Sequence, residues 1–98
     1  MKILITSATS AQAHKLKNSL VNDEVVLGDF TELPAFMGIL KLPNPASDTY
    51  AHEMLTLALD NNIDAIYLLN TQEAAVLLLS ELLFKEYNIT LINGHNNL

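Results

Sequence analysis

From Ile63 to Ile92 the chain reads IDAIYLLNTQEAAVLLLSELLFKEYNITLI, and this stretch decides the fold. Ala65–Leu69 (AIYLL) is a short, almost wholly apolar run between polar residues. Such a run predicts a strand covered on both faces. Thr71 stands where a helix cap is wanted, and apolar residues at helical spacing then continue from Gln72 to about Tyr87. Asn88 ends that helix, and Ile89–Ile92 (ITLI) predicts the next strand. A strand, a helix of this length and a second strand make a right-handed crossover between parallel neighbours.

Upstream, the same alternation of periods recurs. Lys2–Thr6 (KILIT) is another buried-strand run, and Ala13, Leu16 and Leu20 mark one face of a helix over Ala11–Leu20. Asn22-Asp23 has turn chemistry, and a second strand over Glu24–Leu27 ends at Gly28-Asp29. Ile39–Leu42 is a weaker third strand, closed by the loop Pro43-Asn44-Pro45, where neither ladder nor helix can continue. Ser47 reads as an N-cap with Asp48 in the first turn. Ala51, Met54, Leu55 and Ala58 form the apolar face of the helix that follows, which stops at Asn61-Asn62. The expected fold is α/β: a single domain over residues 1–98, with a three-layer, Rossmann-like open parallel sheet. It has about five strands in the order 3-2-1-4-5 and three helices, with the switch point between strands 1 and 4.

Composition narrows the function. Half of the 98 residues are hydrophobic and 16% are charged, which excludes a disordered chain. No apolar run approaches the ~20 residues of a membrane span, and the opening MKILI is too short for a secretory core. The absence of cysteine removes disulfides, zinc–thiolate sites and thiol nucleophiles. Eleven acidic residues face five basic ones, all lysine, for a net charge of −6, so no nucleic-acid footprint is expected. A cytoplasmic protein without membrane contact is the expectation.

In an open parallel sheet, ligands bind beyond the carboxyl ends of the strands near the switch point. That places the candidate ligand-binding residues at Ser7, Thr9 and Ser10 after strand 1, Asp29 after strand 2, and Asn70 and Thr71 after strand 4. The first loop, SATSAQAH, has none of the glycines a dinucleotide loop needs for close approach of the pyrophosphate. Its hydroxyls could hold a single phosphate at a helix start or simply cap the helix. Asp29 lies where an acid would meet a ribose, or where a strand simply ends. The chain has no G-x-S-x-G elbow and no acidic cluster after strand 1, which excludes hydrolase and phospho-receiver chemistry. His14, His52 and His95 do not share metal-ligand spacing. No catalytic residue, metal or cofactor is therefore expected.

The third helix has more apolar residues than one face can bury. Val76, Leu79, Leu83 and Tyr87 form a stripe assigned to the sheet. Leu78 and Leu82 lie on one flank, and Leu77 and Phe84 on the other. An apolar stripe this wide suggests burial, either on the neighbouring helix or under the C-terminal tail, or in a second copy. On the latter reading Leu77, Leu78 and Leu82 are the candidate contacts of a homodimer.

Beyond these readings, the stretch from Pro43 to Ile92 resembles the preATP-grasp domain, the N-terminal domain of ATP-grasp enzymes. It is most similar to the version in carbamoyl-phosphate-synthetase-like proteins. The matching elements are Lys2–Thr6, Val25–Asp29, Tyr50 in the second helix, Asn62-Ile63-Asp64, Ala65–Leu69 and Glu73–Ile89, about nine-tenths of the chain in all. Relatives often carry glycine after strand 1 and aspartate after strand 4, where this sequence has Ser7-Ala8-Thr9 and Asn70-Thr71. The resemblance implies that ATP and its metal ions are held by two later domains. This domain would contribute part of the acceptor-substrate wall and, in some members, a dimer contact. The expectation is a stand-alone domain without catalysis of its own, paired with itself or with a separately encoded ATP-grasp protein. The alternative is a small-molecule binding module, for a nucleotide or a carboxylate, using the loops after strands 1, 2 and 4.

Overall fold

The computed structural model describes residues 1–34 and 38–94. Five parallel strands form one sheet in the order β3-β2-β1-β4-β5. They are β1 (Lys2–Ile5), β2 (Glu24–Asp29), β3 (Leu40–Lys41), β4 (Ala65–Tyr67) and β5 (Thr90–Ile92). β1 is central, in register with β2 through Lys2–Glu24 to Ile5–Leu27 and with β4 through Ile3–Ala65 to Ile5–Tyr67. The third strand is shorter than the sequence suggests. Only Leu40 and Lys41 pair, opposite Gly28 and Asp29, because the prolines that follow end the ladder. Gly28 is needed where it stands, since a Cβ there would come within 2.8 Å of Leu42 Cδ2 and 3.0 Å of Leu4 Cδ1.

The alternation of side chains along each strand divides the core into two layers. Ile3, Ile5, Ala65 and Leu69 face α1 (Ala11–Ser19), meeting its Ala13 and Leu16. Leu4, Ile66, Leu68 and Leu91 face the opposite way, onto Tyr50, Met54, Leu55 and Ala58 of α2 (Tyr50–Asp60). The same layer takes Ala74 and Leu77 of α3 (Thr71–Leu77) and Phe84 of α4 (Glu81–Glu86). One helix on one face and the others opposite is what right-handed crossovers demand of this strand order.

α2 and α4 stop by the same device. Asn62 and Asn88 adopt left-handed φ values of +57° and +63°. After each, an isoleucine N–H reaches back five residues, from Ile63 to Ala58 O at 2.9 Å and from Ile89 to Phe84 O at 3.0 Å. Both isoleucines are buried, completing a Schellman closure with its apolar contact.

Two helix starts differ from expectation. α2 begins at Tyr50, and Ser47 does not cap it: the Ser47 hydroxyl donates to Glu53 Oε2 at 2.6 Å, while Pro45 holds the preceding residues in a turn. Asn70, not Thr71, caps α3, accepting from Gln72 N at 2.8 Å and Glu73 N at 3.1 Å. The third helix is also interrupted by a 3-10 turn over Leu78–Ser80. Among the described residues no helix is long and apolar enough to cross a membrane.

Candidate functional site

The carboxyl ends of β1, β2 and β4 converge as an open parallel sheet requires, and the first two are followed or closed by a buried polar residue, Thr6 and Asp29. Thr6 is fully buried. Its hydroxyl donates to Tyr67 O at 3.3 Å and accepts from Leu69 N at 3.0 Å, so it stitches β1 to the segment after β4. Ser7 follows with φ +54°, unusual for a residue with a side chain. That bend lets Ser10 N bond to Ser7 O at 2.9 Å and Ala8 N bond to Gly28 O at 3.1 Å. Ser10 then caps α1, its Oγ accepting from Ala13 N at 3.1 Å. Thr9 and Thr71 are exposed, and Asn70 is occupied as the cap of α3.

Asp29 is buried at the end of β2. Its Oδ1 accepts from the Thr31 backbone N–H at 3.0 Å and the Thr31 hydroxyl at 2.8 Å, which closes a tight turn. Facing it is a pair that the sequence does not announce. The Tyr50 hydroxyl of α2 donates to Glu73 Oε2 of α3 at 3.0 Å, with Tyr50 1% and Glu73 2% exposed. Burial pushes the Glu73 carboxyl up to about 7, the Tyr50 hydrogen bond opposes that, and the Asp29 charge adds to it. Burial, then the charge and hydrogen bond of Glu73, raise the Tyr50 hydroxyl far above its ordinary range. Near neutral pH Glu73 therefore still holds its proton about half of the time, where it would ordinarily have lost it.

A signal for both residues did exist. Tyr50 lies four residues before Met54 and eight before Ala58, on the buried stripe of α2, and Glu73 lies four before Leu77. Each residue alone reads as an ordinary helix position; only the fold brings them together across 23 residues.

The structure thus gathers Ser7, Ser10, Asp29 and Asn70 at one end of the sheet and occupies most of their polar atoms with turns and caps. It does not gather the third-helix stripe as expected. Leu77 is fully buried in the core, so it is no surface contact, and Leu78 is half-buried against the same core. Leu79, assigned to the sheet, is instead 88% exposed, with Leu82 at 75% and Tyr87 at 50%. Leu77 and Phe84, seven residues apart and so on one face, both turn inward across the 3-10 turn. His14 and His52 are exposed, and His95 lies outside the described residues. Among the described residues no three His, Cys, Asp or Glu side chains are placed to hold a metal ion. No protein-family model and no curated protein matches the chain.

Proposed function

We propose that this chain is an interaction domain of the preATP-grasp type, without ligase chemistry of its own, that acts on the acceptor side of an ATP-grasp-type system. The observation that carries the reading is the exposure of three large apolar side chains, Leu79, Leu82 and Tyr87, on the third helical segment. Three large apolar side chains bared within nine residues are what a protein contact would cover. The loop chemistry agrees with it. Ser10 and Asn70 cap helices and Asp29 closes a turn, so these groups are already engaged within the fold. Its partners on this reading are a second copy or a separately encoded ATP-grasp protein.

One observation favours the other reading, a small-molecule module. Ser7 holds a left-handed backbone beside the switch point, and strain of this kind, on the order of 1–3 kcal/mol, gathers at ligand sites. Calorimetry with magnesium ATP tests the first reading. No saturable heat is expected, and saturable, magnesium-dependent binding would overturn it. A thermal-shift panel of nucleotides and carboxylates tests the second, because a ligand of the folded state must raise the melting temperature.

A further inference from the structure

β5 is an edge strand, paired to β4 alone. Thr90 N donates to Asp64 O at 3.1 Å and Ile92 O accepts from Leu68 N at 2.8 Å, so both residues direct their backbone groups toward β4. By the alternation of a parallel ladder, Leu91 between them turns its N–H and C=O to the free edge. Thr90-Leu91-Ile92 carries no charge and no proline, the usual means of blunting an edge. Beside this edge, Glu81, Leu82 and Lys85 of α4 face Ile89, Thr90 and Leu91 across a cleft of about 210 Å³. The ion pairs of the described residues join the Met1 amino group to Asp23, Lys2 to Glu24 and Lys41 to Glu32. Glu81 and Lys85, one turn apart on the cleft side, belong to none of them.

We propose that a second copy of this chain closes this edge, β5 against β5 and α4 against α4, both antiparallel about one two-fold axis near Leu91. The inference rests on the interaction reading above and names the partner. A two-fold contact requires a patch complementary to itself. In an antiparallel helix pair each flank meets the same flank of the other copy, so Glu81 meets Lys85 of the second copy, and Lys85 meets its Glu81. Leu82, near the axis, packs on Leu82 of the second copy, and the two Leu91 residues exchange their outward N–H and C=O groups. A single axis can serve both contacts because Glu81, Leu82 and Lys85 of α4 line one cleft with Ile89, Thr90 and Leu91. An unrelated strand could pair with the edge but has no reason to carry the two charges in reversed order. The assembled pair is a continuous sheet of ten strands.

Light scattering on the full chain reads the outcome. Wild type at tens to hundreds of micromolar should show twice the 10.8 kDa chain mass. Glu81→Lys leaves only lysines at the paired positions and Lys85→Glu only glutamates, so each variant repels itself and should dimerise at least about tenfold more weakly. Both positions are exposed, and far-UV circular dichroism should show the fold unchanged. Mixing the two variants, or combining both changes in one chain, restores the opposite-charge pairs and should restore the doubled mass. A monomeric wild type, single variants that dimerise like wild type, or a mixture that stays monomeric would each overturn the proposal. Magnesium ATP binding would instead overturn the interaction reading and leave these masses unchanged, so the two failures are distinguishable.

Discussion

Replacing Glu73 by Gln should make the protein more stable at pH 8 and leave it nearly unchanged at pH 4.5. Glu73 is almost fully buried and its carboxyl titrates near 7 in the fold, against the ordinary 4.5 it regains when unfolded. A folded-state value above the unfolded one means that the proton stabilises the native state. That contribution is complete below the unfolded value. It declines as the unfolded chain releases its proton, and is gone once pH passes the folded value near 7. The interval between 4.5 and about 7 corresponds to on the order of 3 kcal/mol. Gln has the same shape, remains neutral, and its amide oxygen can still accept from the Tyr50 hydroxyl. The variant thus keeps the contact and loses the titration. Urea unfolding of both proteins across pH 4.5 to 8 measures the difference directly, and every other carboxylate cancels because it titrates in both. In a domain of this size the gain at pH 8 should raise the melting temperature by upwards of about 10 °C. A wild-type-minus-variant difference that stays flat with pH would refute the assignment of a buried, protonated Glu73.

Two further outcomes test the helical segments. Leu77→Ala should cost roughly 2–5 kcal/mol in denaturant unfolding, and Leu79→Ala under about 0.5 kcal/mol, since one side chain is buried and the other bare; comparable losses would show that the interruption at Leu78–Ser80 is misplaced. Asn70→Ala should cost about 1 kcal/mol as a lost cap, whereas Thr71→Ala should be nearly neutral, and the reverse order in melting curves would return the cap to Thr71.

The strand order was readable because four of the five strands are short, largely apolar runs closed by residues that can do little else. KILIT, the segment ending at Gly28-Asp29, AIYLL and ITLI each stand between turn or helix signals. The two asparagine stops were equally plain, for Asn tolerates the left-handed backbone they need. The inward face of the third helix was not readable. From Ala74 to Leu79 every residue is apolar, so the pattern fits several helical phases equally well. The choice falls to packing against Ile66, Leu68 and Leu91, which takes Leu77 and Phe84 inward. The candidate site divides in the same way. Asp29 and Asn70 could be named because they terminate or begin elements. Tyr50 and Glu73 could not be paired, because nothing local to either residue signals a partner on another helix.

The central position of β1 also governs how the molecule is made. β1 is synthesised before the rest of the sheet, and its two neighbours follow at very different times. β2 follows at residues 24–29, but β4, in register with Ile3 through Ala65, only at residue 65. Until then one side of the most apolar strand has no neighbour, and the larger core layer lacks Ile66, Leu77 and Phe84. Contacts spanning so much sequence close late and slowly. Nascent chains arrested before residue 65 should therefore be captured by holdase chaperones, and release should coincide with the emergence of β4 and α3.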